Sequence, residues 1–94
     1  MGERMKKIIA VLVRDRQEEG LRMAVGLTLK NDIVDVYVLD REVEETEMNK
    51  LNLETIEMMN VNIYSNLRDT ENMQYSSNKD ISEKLLEYDH IIPY

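Results

Sequence analysis

Hydrophobic residues along this chain follow two rhythms. Residues 5–13 (MKKIIAVLV) and 33–39 (IVDVYVL) are nearly continuous apolar runs. Such runs belong to strands buried on both faces, as in a parallel sheet; a strand with one wet face would alternate. Residues 17–30 instead place Leu21, Ala24, Val25, Thr28 and Leu29 at three- and four-residue spacing, the stripe of an amphipathic helix. Gly20 and Gly26 weaken that helix by up to ~1 kcal/mol each relative to Ala, and both are predicted to let it approach the sheet closely. Asn31-Asp32 is a stop and turn.

A second helix is predicted over 44–59. Glu44, Glu45 and Glu47 stand in its first turn, near the positive end of the helix dipole. Met48, Leu51, Thr55, Met58 and Met59 form its expected inward stripe. Residues 61–64 read as a third strand. The polar stretch 65–79 reads as a loop without secondary structure, unusual in a compact domain; folding over a neighbouring subunit would account for it. Asp80 is the expected N-cap of a helix over 81–88, with Glu83 as its capping-box partner. Residues 90–94 form a last strand, whose Pro93 suits an edge or strand end.

Strands alternating with helices imply right-handed crossovers and a covered parallel sheet. The predicted class is α/β: a single flavodoxin-like domain over residues 1–94, with a four- or five-stranded, mainly parallel sheet and helices on both faces. The expected strand order is 2-1-3-4. No internal repeat or low-complexity tract interrupts it, and residues 2–4 read as a frayed tail.

Composition adds constraints. A chain of 94 residues buries only about two-thirds of its unfolded surface, so association with further copies would help it. It has five Tyr but no Phe or Trp, and its seven Met supply part of the core volume. The formal charge of −7 argues against nucleic acid and against an anionic membrane surface as partners. The longest apolar run, Ile8 to Val13, is six residues, against roughly 20 for a bilayer span. No small-residue cleavage site follows it, so no signal peptide is expected. The absence of Cys excludes disulfides, thiolate nucleophiles and Cys-ligated metals. A cytoplasmic location is expected.

In open parallel α/β sheets, ligands bind beyond the carboxyl ends of the strands, where strand order reverses. For the order 2-1-3-4 that point lies between the first and third strands. Of six Arg, four (Arg14, Arg16, Arg41 and Arg68) directly follow the first three strands. A parallel sheet sets them on one rim beside helix N-termini, where guanidinium and helix dipole both favour anions. The candidate ligand-binding set is Arg14, Asp15, Arg16, Gln17, Arg41, Ser65, Asn66 and Arg68. The plainer alternative is a solvated rim neutralised by Asp15, Asp40 and Asp69. Neither GxxxxGK[ST] nor GxGxxG is present, so no nucleotide-cradling loop is supported. The single His90 has only Asp89 beside it, on the opposite strand face. The cluster Glu42, Glu44, Glu45 and Glu47 has no His and reads as a solvated helix start. Ser65, Ser76, Ser77 and Ser82 lack an activating base. No catalytic residue, cofactor or metal is predicted. Tyr64, Tyr75, Tyr88 and Tyr94 serve either an interface or the monomer core.

The first forty residues, KKIIAVLVRDRQEEGLRMAVGLTLKNDIVDVYVLDREV, and the later MMNVNIYSNLRD resemble the DsrE/DsrF-like family of small sulfur-relay proteins. The resemblance spans most of the chain in layout. It implies a flavodoxin-like sheet, homo-oligomers (often trimers or hexamers) and a sulfur-relay-type protein partner. In sulfur-carrying members a Cys after the third strand holds a persulfide. The matching positions here are Tyr64, Ser65 and Asn66. None can replace an ionisable, polarisable sulfur. The expectation is therefore a non-catalytic oligomeric or partner-binding subunit. A small anionic-ligand-binding protein or enzyme using the Arg rim is the alternative.

Overall fold

Asn and Asp, rather than Gly, turn this chain. A computed structural model describes residues 7–94; Met5 and Lys6 of the first predicted strand, and the predicted tail at residues 2–4, lie outside them. The elements are β1 (Ile8–Val13), α1 (Gln17–Leu29), β2 (Ile33–Val38), α2 (Glu47–Met58), β3 (Asn62–Ser65), β4 (Gln74–Tyr75), α3 (Asn78–Leu85) and β5 (His90–Pro93). Asn31, Asp40, Asn60, Asp69 and Asn72 all take positive φ, between 59° and 73°. Asn and Asp tolerate this region better than other residues bearing a Cβ. Asn31 and Asn60 close α1 and α2 in the same way. Asp32 N–H bonds Leu27 O and Asn31 N–H bonds Thr28 O; Val61 N–H bonds Ile56 O and Asn60 N–H bonds Glu57 O. These paired bonds make a Schellman motif and satisfy carbonyls that a helix end leaves open.

All five strands are parallel, in the order β4-β3-β2-β1-β5. The class is thus α/β with a five-stranded parallel sheet and helices on both faces, compatible with one flavodoxin-like domain. The predicted order 2-1-3-4 is corrected. The chain steps outward from β1 to β4, and β5 then returns to the free side of β1. The reversal therefore lies between β1 and β5, and β2 separates β1 from β3. β5 is an edge strand, where Pro93 is tolerated.

Two cores follow from strand alternation. On one face Ile9, Val11, Val13, Val34, Val36 and Val38 pack against Leu21, Ala24 and Ile56 of α1 and α2. On the other, Ala10, Leu12, Tyr37 and Leu39 meet Ile81 of α3, with Leu85 and Tyr88 against them. The first two crossovers run in one direction and set α1 and α2 on the same side. The return crossover sets α3 on the opposite side.

Three local expectations change. First, α2 begins at Glu47 with Thr46 as N-cap, its Oγ1 accepting from Asn49 N–H, so Glu44 and Glu45 stay in the preceding loop. The buried stripe of α2 is Asn49, Asn52 and Ile56, while Met48, Leu51 and Met58 are exposed. Leu53 rather than the methionines supplies the partly buried apolar support. Second, Ser77, not Asp80, caps α3, its Oγ accepting from Asp80 N–H. Third, the stretch 65–79 is not structureless: β4 pairs with β3 within the same chain.

The two helical glycines separate by what surrounds them. A Cβ on Gly20 would sit 2.9 Å from Val13 Cγ2 and 3.1 Å from Tyr94 Cβ; one on Gly26 would meet nothing within 4 Å. Gly20 is the close approach of α1 to the sheet, and Gly26 is not. Gly20→Ala is expected to destabilise the fold by about 1–3 kcal/mol through overpacking. Gly26→Ala is expected to stabilise it by up to ~1 kcal/mol through helix propensity. Thermal unfolding followed by circular dichroism reads both, at roughly 4–8 °C per kcal/mol for a domain of this size. Shifts of the same sign would contradict the assignment.

Candidate functional site

The carboxyl rim of the sheet is a polar lock built from strand tips. β1 ends in Arg14-Asp15-Arg16 and β2 in Asp40-Arg41, and parallel pairing brings the two tips side by side. They cross-pair: Arg14 Nε lies 3.1 Å from Asp40 Oδ2, and Arg41 Nη2 lies 3.0 Å from Asp15 Oδ1. The left-handed turn at Asp40 is held by Asn66 beyond β3. Asp40 N–H donates to Asn66 Oδ1 at 2.7 Å, and Asn66 Nδ2 donates to Asp40 Oδ1 and to Asn78 Oδ1 at 2.9 Å each. A chain of contacts thus runs Arg14–Asp40–Asn66–Asn78 across three strand ends to the start of α3.

The other rim residues are engaged elsewhere. Arg16 reaches Glu19 at 3.4 Å and lies over the Tyr94 ring at 5.0 Å. Arg68 stacks on Tyr75, 4.4 Å from the ring centre. Gln17 is buried, and both ends of its amide hold the β2–α2 loop: Nε2 donates to Glu42 O and Oε1 accepts from Glu44 N–H, each at 3.0 Å. Ser65 is fully buried, its Oγ accepting from Leu67 N–H at 3.1 Å. The structure therefore joins Arg14 and Asn66 through Asp40, and pairs Asp15 with Arg41 on the neighbouring tips. It holds Arg16, Gln17, Ser65 and Arg68 in separate contacts.

At the reversal between β1 and β5, the N–H groups of Arg14, Asp15 and Arg16 all point at the main-chain oxygen of Tyr94, at 3.3, 3.2 and 3.1 Å. Helix α1 has no side-chain cap. The Tyr94 oxygen thus satisfies the three N–H groups that lead into α1.

A second polar group was not singled out by sequence. Asp35, the only charge in β2, lies on the α3 face beside Tyr37. Tyr88 Oη donates to Asp35 Oδ2 at 2.5 Å, and Asn62 Nδ2 donates to Asp35 Oδ1 at 3.2 Å. Tyr37 and Tyr88 hydroxyls are 2.7 Å apart. Because Tyr88 gives its proton to the carboxylate, Tyr37 donates to Tyr88. Tyr64 stacks on Tyr37 at 4.9 Å, and Tyr88 meets Tyr37 edge-on at 6.0 Å. Tyr64, Tyr88 and Tyr94 thus pack within the chain, while Tyr75 is exposed. Burial pushes the Tyr88 hydroxyl far up, reinforced by its bond to Asp35; burial likewise raises Tyr37. Both hydroxyls are therefore neutral near neutral pH. They pin the end of α3 to β2.

Among the described residues no group of three or more His, Cys, Asp or Glu side chains is arranged to hold a metal ion, and no helix is long and apolar enough to cross a membrane. No family model, curated protein or solved structure matches this chain.

Two titrations check these networks. Hydrogen bonds from Asn66, then from Arg14, hold the Asp40 carboxyl below its ordinary value of 3.8. A depressed carboxyl contributes stability that is present above the ordinary value and lost as pH falls through the lowered one. Side-chain NMR of Asp40 is expected to show titration below 3.8, moving upward in Asn66→Ala; an unmoved midpoint contradicts the network. For Tyr88 the sign is opposite. Its raised value contributes stability that is full below the ordinary 10.0 and lost as pH rises beyond it. Tyr88→Phe, which strips a donor from Asp35, is expected to cost about 1–3 kcal/mol at neutral pH and to reduce that alkaline loss. A neutral Tyr88→Phe phenotype in urea unfolding would remove the pin.

Proposed function

We propose that this chain is a non-catalytic, DsrE-like α/β domain that works by association with copies of itself, in the cytoplasm, as a subunit beside a sulfur-relay-type partner. The observation that carries this reading is an incompletely clothed sheet face. On the α3 side, Ile8, Ile33 and Ile91 are 38%, 47% and 43% exposed. Ile8 is the lateral neighbour of Ile33, and Ile91 is the neighbour of Ala10 on the same face. The three form a strip across β2, β1 and the open edge strand β5. Apolar side chains in such a strip gain about 25 cal/mol per Å² when covered, and contiguous apolar patches of this kind mark contact surfaces.

The absence of a reactive group supports the non-catalytic part. At the positions matching the family's persulfide cysteine stand Tyr64, stacked on Tyr37, Ser65, buried behind its turn, and Asn66, bound to Asp40. None is placed as a nucleophile. The resemblance adds trimers or hexamers as the expected assemblies.

Sedimentation velocity at tens of micromolar tests the reading. The wild type is expected to sediment as an oligomer, and Ile33→Glu to weaken association at least about tenfold, roughly 1.4 kcal/mol. A monomer at every concentration overturns the proposal. Intact-mass measurement of freshly isolated protein gives an independent check: a stable sulfane adduct on the chain would contradict the non-catalytic assignment.

A further inference from the structure

The opposite face of the sheet also ends unclothed, and there the exposed surface is charged. Helices α1 and α2 cover β1 and β2, but beyond α2 the β3–β4 edge carries no helix among the described residues. Two adjoining hollows open there, of about 530 and 360 Å³, sharing Lys50, Leu53, Glu71, Asn72 and Met73. Together they form one groove alongside α2. Its floor is apolar: Leu53, Val61, Ile63 and Met73 are partly buried against the core.

The walls are acidic. Glu54 and Glu57 of α2 and Glu71 of the β3–β4 connection surround one part of the floor. Glu42, Glu44 and Glu45 of the β2–α2 loop line the other. Lys50 is the single cation between them. Six glutamates against one lysine leave a net of five negative charges in the groove, most of the −7 carried by the whole chain. Asp15, Glu19 and Asp40 each meet an arginine, whereas none of these six forms an ion pair among the described residues. The acidic loop is also fixed in place, because the buried Gln17 amide grips it at Glu42 and Glu44.

We propose that this groove binds a short, extended, basic segment of a partner protein. One apolar side chain of the segment seats on Leu53, Ile63 and Met73. Lysine or arginine side chains on either side reach Glu54, Glu57 and Glu71 in one direction and the Glu42–Glu45 loop in the other. The dimensions agree. The 12 residues of α2 run about 18 Å, the length of roughly five or six residues in extended conformation. A cationic segment gains from carboxylates arrayed along this whole length, and the apolar floor between them supplies an anchor that a hydrophilic cation would not use. The attraction falls with salt, because exposed charges are screened beyond about 8 Å at physiological ionic strength.

The test is fluorescence anisotropy of a labelled Lys-Arg-Leu-Lys-Arg peptide with the full chain, at low and at physiological salt. Binding is expected to weaken with salt, and to weaken at least about tenfold in the triple variant Glu54→Gln, Glu57→Gln, Glu71→Gln. A charge-matched triple on other surfaces, Glu18→Gln, Glu83→Gln, Glu87→Gln, is expected to retain it. Equal loss in both triples would overturn the proposal, since the peptide would then be sensing net charge alone. Replacing the peptide's leucine with serine is expected to weaken binding further. Spermidine binding as tightly as the peptide would overturn the peptide assignment in favour of a small polycation. Absence of any peptide binding at low salt would overturn it outright.

Discussion

The direction of the crossovers governs this molecule. Two successive connections of the same hand carry the chain outward from β1 and place α1 and α2 on one face. Only the return from β4 to β5 delivers a helix to the other face, and that helix has eight residues. Five strands therefore share three helices unevenly. The well-covered face holds most of the buried valines, with Leu21, Ala24 and Ile56. The thinly covered one relies on Ile81 and the tyrosines. The Asp35–Tyr88–Tyr37 bonds make physical sense in this setting. A short helix with few apolar anchors gains a polar one, and the carboxylate in β2 gains the donors it needs.

The same economy appears at the rim. Strand tips in a parallel sheet gather charges at one end, and such an end is often open for ligands. Here Arg14, Asp15, Asp40 and Arg41 meet one another, Asn66 bridges two strand tips to α3, and Tyr94 satisfies three N–H groups ahead of α1. The polar groups at this end chiefly position the chain. Beside α2, by contrast, six glutamates line one groove with Lys50 as its single cation.

Much of this architecture was legible in the sequence. The runs at 8–13 and 33–38 declared a parallel sheet because neither strand alternates. The pairing of Asp15 and Asp40 with arginines was visible as an alternative, because like spacings of opposite charge stood at successive strand ends. Strand order was not legible, since nothing in residues 90–94 states which side of β1 they join. Helix α2 misled because its exposed methionines mimic an apolar stripe, while its buried positions include Asn49 and Asn52. The amide oxygen of Asn49 and the amide nitrogen of Asn52 find no hydrogen-bond partner among the described residues, a polar burial that hydrophobic periodicity does not reveal. At α3 the sequence offers two cap candidates three residues apart, Ser77 and Asp80, and Ser-x-x-Asp is itself a capping pattern. Asp35 carried a signal, a lone charge in an apolar strand, but its partner Tyr88 lies 53 residues away.

If uneven covering of the sheet drives association, the isoleucine strip must lose its water when copies meet. Methyl NMR with a soluble paramagnetic agent measures this directly. The account predicts that Ile8, Ile33 and Ile91 methyls become shielded as protein concentration rises, while the equally apolar but isolated Leu86 stays fully accessible. Relaxation enhancement at the three isoleucines that remains equal to that at Leu86 across the whole concentration range would contradict it.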